Sequence, residues 1–412
     1  VTQARTAPPD VTGALPPGFN RLLVSSIASN LGDGVRLTAF PLLAATITRD
    51  PLGVGAIAAA TTAPWLLGPI GGALVDRVDR RRLLVAGQVA RALALGLLGL
   101  AATSGVATLV QLYVVAVLVG LGEVLVDSAT QAAVPTLVGP DQLERANGRL
   151  VAAETVTGDI LGAPLGGILF ALGASLPFAF DAATFLFSAL VLATIRFPSP
   201  RDGDAGLAPP GGFWADVRVG LTHLWNDRLL RPLAVVLALV NVALTAAFSI
   251  LVLFALEDLG LDETGYGVLV GIGALGGLVG SFSADRARRA LGRGPALVLS
   301  SVVVTLGTAV LALAPSAPVA TAGLVLLMGA GGLFNVVGQS LRMAVIPAPL
   351  LGRVVASFRM VGLGGVPVGA FLGGLVARLT DVRTTIGLAA VLLGITLVAM
   401  VVVVRRIPDH AR

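Results

Sequence analysis

Acids and arginines stand inside long apolar runs of this sequence, where ionisable groups are costly and therefore rare. The first half carries Asp33 and Arg36 in one run, Arg91 in another, Glu123 and Asp127 in a third, Glu154 and Asp159 in a fourth, and Asp181 in a fifth. A helical rise of about 1.5 Å per residue puts Asp33, Glu123 and Glu154 near the middle of their runs. A carboxylate at that depth can be tuned to take up and release a proton near neutral pH. Asp33, Arg36, Glu123 and Glu154 are therefore the candidate proton-handling set. A structural reading stands beside it. Asp33 and Arg36 are three apart and suit a neutralising pair on one helix face, Arg91 suits a pair with Asp127, and Asp159 and Asp181 suit helix packing or a gate. The second half offers mainly amides, Asn241, Asn335 and Gln339, so ion chemistry is expected in the first half.

The elements that position these groups must be membrane helices. Of the residues, 56% are hydrophobic and 12% charged, against about a quarter charged in soluble proteins. Apolar runs of about 20 residues, each long enough to cross a bilayer, recur along the chain. They are continuous rather than alternating, which excludes a β-barrel. The chain has no cysteine, so disulfides and thiolate sites are excluded. Every basic residue is arginine, and a Walker-type phosphate loop would need a lysine. No cofactor is expected and no metal site either, since His223 and His410 have no ligand neighbours in sequence.

Twelve spans are predicted, near 19–47, 53–76, 82–103, 107–133, 142–172, 174–196, 231–257, 263–285, 294–314, 318–345, 351–378 and 383–405. With the N-terminus placed in the cytoplasm, 23 arginines fall on the inner side and three, Arg49, Arg378 and Arg383, on the outer side. That bias is what the positive-inside rule requires of an even number of spans with both ends inside. It also explains the net charge of +5 without nucleic acid. Residues 1–18 read as a disordered cytoplasmic tail rather than a signal peptide, and 406–412 as a second tail.

The chain repeats itself. Gly71–Arg81 (GGALVDRVDRR) aligns with Gly280–Ala290 (GSFSADRARRA), GRLVAA at Gly148 with GRVVAS at Gly352, and Gly162-x-Pro164-x-Gly166 with Gly365-x-Pro367-x-Gly369. Each shift is near half the chain, so two six-helix bundles of like orientation are expected, 19–196 and 231–405. Between them, 197–230 reads as a flexible linker followed by an amphipathic helix on the inner membrane surface. Its alternative is an extension of the seventh span. Gly271-x-Gly273-x-x-Gly276 spells a dinucleotide fingerprint, but inside an apolar run it indicates close helix packing.

Two parallel repeats of six spans describe a known transporter plan, and Gly71–Arg82 resembles the G-x-x-x-D-R-x-x-R-R signature between spans two and three of the major facilitator superfamily. The resemblance covers residues 19 to 405. Finer stretches are similar to its drug:proton antiporter family of macrolide-efflux and siderophore-export proteins: NRLLVSSIASNLGDGV at Asn20, ATQAAVPTLV at Ala129, LERANGRL at Leu143, GAPLGGIL at Gly162 and DVRVGLTHLWNDRLLR at Asp216. Ala116 and Val119 depart from the arginine and glutamine that many drug antiporters carry before the Gly-x-Gly of span four.

The resemblance implies an all-α membrane protein with the major facilitator fold, twelve transmembrane helices in two pseudo-symmetric six-helix bundles. It implies conformational gating by Gly72, Asp76, Arg77 and Arg81, echoed by Asp285 and Arg286. It also implies an export-associated packing motif at Gly158, Gly162, Pro164, Gly166 and Gly167. The expected function is export of amphiphilic small molecules by alternating access, coupled to protons, by a monomer in the cell membrane. The alternative is a dedicated exporter of a siderophore or lipid-like metabolite. A non-transporting sensor would have little reason to keep buried carboxylates, and no nucleophile–base arrangement suggests an enzyme.

Overall fold

A computed structural model of the chain describes residues 15–68, 78–197, 212–346 and 350–406. The described residues form helices and connecting turns, with no strand among them. In chain order the helices are α1 (Pro17–Ile47), α2 (Pro51–Thr62), α3 (Arg80–Thr103), α4 (Leu109–Leu137), α5 (Pro140–Leu172), α6 (Leu176–Ala193) and α7 (Gly212–Asn226). They continue as α8 (Leu230–Asp258), α9 (Glu263–Leu291), α10 (Arg293–Leu313), α11 (Ala317–Val345), α12 (Leu351–Leu379) and α13 (Val382–Val404).

Ten of these, α3 to α6 and α8 to α13, are long and apolar enough to cross a membrane. α1 is 31 residues long but interrupts its apolar stretch with Asp33 and Arg36. α2 continues as a 3-10 turn to Leu67, close to where the described residues stop. These ten helices and α1 lie along expected spans, and α2 lies along the described part of the span expected at 53–76. Exposed side chains such as Leu97, Leu190, Phe282 and Leu313 form an apolar girdle around the bundle, as contact with lipid tails requires.

Polar punctuation sets the helix ends. The Asp50, Thr108, Asp262 and Asp381 side chains each accept from a backbone N–H of the turn that follows, satisfying donors the helix cannot. Two helices are loosened internally: α5 runs as a π-helix over Glu154–Gly162, and α8 ends in a π turn over Phe254–Asp258. α7 is a separate helix, not an extension of α8. The Asp227 side chain accepts from both Leu229 N and Leu230 N at 2.8 Å and starts α8 afresh. α7 lies on α12 and buries Leu224 in the core beneath it.

Within the first half α1 packs between α5 and α6, and α3 packs on α4 and α6; in the second half α8 packs on α12 and α13, and α11 on α9 and α10. The repeated Gly-Pro-Gly stretches do the same work in both. Gly162 faces Gly34 of α1 and Gly166 faces Val35, while Gly365 faces Ala238 of α8 and Gly369 faces Val242. Gly276 lies against the backbone of Val325 on α11, as its reading as a packing glycine requires.

The halves meet along α2 with α12 and along α5 with α9. Gly55 touches Gly374, and Gly167 touches Gly267. Two ion pairs join the halves at this end of the bundle, Arg49–Glu257 at 2.9 Å and Arg378–Asp50 at 3.6 Å. A third, Arg383–Asp258 at 2.8 Å, lies beside them within the second half. The three arginines assigned to the outer side thus each meet an acid on one rim.

Candidate functional site

Local sterics bring four helices of the first half to one point. Asp33 and Arg36, three apart on α1, share a face. Gly32, one residue earlier, lies against the Asp181 carboxyl and Thr184 hydroxyl of α6, where any side chain would collide. Gly122 of α4 leaves room for the methylenes of Arg91 on α3: a Cβ there would stand 2.6 Å from Arg91 Cγ. Arg91 therefore reaches across toward α1, while Glu123, next to Gly122, comes in from α4.

The result is one network. Arg36 pairs with Asp33, with Glu123 Oε2 at 3.0 Å and, through Nε, with Asp181 Oδ2 at 3.5 Å. Arg91 pairs with the same oxygen of Asp33 and stands 3.9 Å from Glu123 Oε2. Three carboxyls thus surround two guanidiniums. When all are ionised the set carries one negative charge in excess, and one bound proton balances it.

Burial divides the roles. The side chains of Arg36, Arg91 and Asp181 are 5%, 2% and 0% exposed, whereas Asp33 and Glu123 keep 24% and 25%. Asp33 and Glu123 are therefore the carboxyls that a solvent-borne proton or a solute can reach. Behind them the network is tied into the protein. Arg91 donates to Gln88 Oε1 at 3.3 Å, Gln88 donates to Ser188 Oγ at 2.9 Å, and Ser188 shares a 2.6 Å bond with Ser25. The Arg91 guanidinium lies 3.9 Å from the centre of the Phe185 ring, a geometry that stabilises a desolvated cation.

Hydrogen bonding is incomplete: Arg91 Nε and Thr38 Oγ1 are buried without a hydrogen bond, and so is one facing pair. Arg36 Nε and Asp181 Oδ2 face each other but neither makes a hydrogen bond. An unmade bond between buried groups costs about 1–3 kcal/mol, so this contact has something to gain from tightening.

The sequence-predicted residues fare unequally. Asp33, Arg36 and Glu123 come together. Glu154 is exposed, at the start of the π segment of α5, and the ion pairs of Arg36 and Arg91 run to other acids. Arg91 pairs with Asp33 rather than with Asp127, because Gly122 opens its path across α4 toward α1. Asp181, expected to serve packing or a gate, is a fully buried member of the network. The signal for it was present, since a lone acid in an apolar run demands a cationic partner. The Asp159 side chain lies outside the described residues.

Of the signature loop, Gly72, Asp76 and Arg77 also lie outside the described residues. Arg81 donates to the Ala193 carbonyl at the end of α6. In the echo of that loop, Asp285 pairs with Arg288 at 2.6 Å and with Arg289, and Arg286 is exposed. In the packing motif Gly158, Gly162, Gly166 and Gly167 make the close approaches, and Pro164 fills the space beside Gly271 of α9.

Many apolar helices, arranged as two similar halves with a buried charge network in one of them, match the plan of a polytopic membrane transporter built from two repeats. Comparison agrees. The sequence profile described as Major Facilitator Superfamily matches residues 22–331 and 256–412, and the chain belongs to that family. It is 27% identical over 393 residues to the multidrug efflux pump Tap of Mycolicibacterium fortuitum, covering 92% of this chain and 94% of that protein. It is 32% identical over 145 residues to an uncharacterized MFS-type transporter of Mycobacterium tuberculosis, covering 34% of this chain and 33% of that one. Among solved structures, the nucleoside transporter NupG superposes with a TM-score of 0.78 at 14% identity, over 94% of this chain and 99% of that one. A bacterial homologue of the iron transporter ferroportin in its inward-facing state gives 0.74 at 18% identity, over the same 94% and 99%. The family and these relatives are transporters, not enzymes.

Proposed function

We propose that the chain is a secondary active transporter that exports amphiphilic small molecules, with protons entering in exchange, by alternating access. The observation that carries this reading is the network of Asp33, Glu123 and Asp181 on Arg36 and Arg91, one carboxyl in excess and two of them partly exposed. Loading one proton neutralises the site, and losing it restores a charge that must face water. A site with that property favours one conformation when protonated and the other when ionised, which is what exchange requires. The relative named a multidrug efflux pump, matched over nearly its whole length, supports export of several compounds over a dedicated siderophore or lipid exporter.

In this reading the molecule is a monomer in the cell membrane, its twelve spans divided into bundles at 19–196 and 231–405, with both termini cytoplasmic. The bundles are closed at the outer rim by Arg49–Glu257 and Arg378–Asp50, and the cavity opens inward. Gly72, Asp76, Arg77 and Arg81, with Asp285 and Arg286, gate the inner end. Glu154 serves the inner approach to the cavity rather than the network itself.

Dye efflux in everted membrane vesicles tests the coupling. Export should require an imposed proton gradient and collapse when a protonophore dissipates it. Export at the same rate without a gradient would overturn proton coupling.

A further inference from the structure

The second half contains a pocket of opposite electrical character. A cavity of about 230 Å³ lies between α8, α10, α11 and α13, with Asn241, Ser301, Phe334, Asn335, Arg342 and Thr396 among its walls. Arg342 is half-buried, and among the described residues its guanidinium meets the Phe358 ring, 4.6 Å away. Among the described residues it forms no ion pair, and Arg359 on α12 stands near enough to add to its positive field. From residue 231 onward the only acids are Glu257, Asp258, Asp262, Glu263, Asp285, Asp381 and Asp409. The first four and Asp381 belong to helix ends and turns on the outer rim, Asp285 is engaged by Arg288 and Arg289, and Asp409 is in the tail. Among the described residues of this half, no carboxylate pairs with Arg342. Arg36 and Arg91 in the first half are each matched by acids.

Arg342 stands in the last turn of α11, toward the inner end, and a half-buried guanidinium with no carboxylate paired to it is a ready partner for an anion. We propose that the counter-charge is supplied by a ligand, and that this pocket docks the anionic or acceptor-rich group of an amphiphile. The other polar walls fit that chemistry. Asn335 is exposed and, among the described residues, makes no side-chain hydrogen bond, so its amide can donate to a ligand. Asn241 is fixed by donating to the Gly362 carbonyl at 2.8 Å. Ser301 and Thr396 donate to carbonyls of their own helices at 2.8 Å and remain acceptors. Leu237, Val240, Leu244 and Phe334 supply the apolar wall. The volume is below the roughly 300–1,000 Å³ of sites that enclose a drug-sized molecule, so the pocket takes the head or one ring of a larger ligand. Its role as a substrate pocket rests on the exporter reading; its anion chemistry does not.

The test uses the full chain in phosphatidylcholine nanodiscs and the sulfonate dye 1-anilinonaphthalene-8-sulfonate, read by fluorescence over empty discs. The wild type should bind the dye saturably, and cationic ethidium should not displace it. Arg342→Gln should weaken binding about tenfold, the loss of one charge-assisted contact. Gly331→Leu is the second variant. A Cβ at Gly331, a wall of the cavity, would meet no atom within 4 Å, so a leucine starts into open space and occupies the pocket, and dye binding should be lost. Matching thermal melts confirm folding.

Wild-type affinity in Gly331→Leu, or in a folded Arg342→Gln, overturns the proposal, as does displacement by ethidium. Replacing part of the lipid with phosphatidylglycerol separates two sources of the same chemistry. Displacement of the dye identifies a lipid headgroup as the occupant, and its retention identifies a free solute. The readout needs neither gradient nor export, so failure of the efflux assay leaves its result intact.

Discussion

Arg36 touches three carboxyls at once, which ranks the substitutions around it. Glu123→Gln removes one quarter-exposed acid and leaves two acids on two arginines, a balanced set. The variant should insert and melt near the wild type but lose gradient-driven export and flatten its pH dependence. Asp33→Asn takes away the acceptor shared by both arginines. It should be the more destabilising, toward the roughly 3–5 kcal/mol of a broken buried pair and reduced by its partial exposure, as thermal unfolding in detergent will measure. If Glu123→Gln exports like the wild type, the exchangeable proton resides elsewhere. Asp33, Arg36 and Glu123 were legible because charge inside an apolar run is conspicuous in one dimension. Which acid meets which arginine was not. That depends on Gly32 and Gly122 leaving room across helices, and a sequence read one run at a time does not contain those contacts.

At the level of helices, glycines at two kinds of contact should behave differently. Gly34 against Gly162 joins α1 to α5 within one half, and Gly55 against Gly374 joins α2 to α12 between halves. A Cβ on Gly55 would meet Gly374 Cα at 2.9 Å. Overpacking costs about 1–3 kcal/mol. Inside a half there is no alternative packing to relieve it, so Gly162→Leu should lower the melting temperature and the yield of folded protein. Between halves the rim can part, so Gly55→Leu should keep its fold and shift toward an outward-open state. The native chain lacks cysteine, which lets a single introduced thiol in the outer vestibule report that opening by its labelling rate. Unchanged labelling in Gly55→Leu would mean that this contact does not close the rim. The paired Gly-Pro-Gly stretches announced the first kind of contact, because a repeat that keeps its small residues keeps its packing. The π segment of α5 was only half announced: Glu154–Gly162 is rich in glycine and β-branched residues, which weakens a helix but does not say that its turns widen. α1, with Asp33 and Arg36 inside it, likewise reads as a plain span in a hydropathy pattern.

For the molecule as a whole, the charge asymmetry of the chain and the closure of its rim are one arrangement. Arg49, Arg378 and Arg383 are the exceptions to an inward bias of arginine, and each is held by an acid: Glu257, Asp50 and Asp258. Two of these pairs bridge the halves, so they stabilise only the state in which the rim is shut. Arg49 and Glu257 are 69% and 43% exposed, and exposed pairs contribute about 0.2–1 kcal/mol each, which is up to about fivefold in a two-state population. That is a bias rather than a lock, which suits the alternating access proposed above, where the rim reopens on every cycle. Arg49→Glu should therefore raise outer labelling several-fold, Glu257→Arg should do the same, and the double exchange should return it toward wild type because the pair is restored in reverse. Salt should mimic the single variants in the wild type, since a Debye length near 8 Å at physiological ionic strength shortens to about 3 Å at 1 M. If the double exchange labels as fast as the single ones, the pair does not hold the halves together, and closure rests on the glycine contacts beneath it.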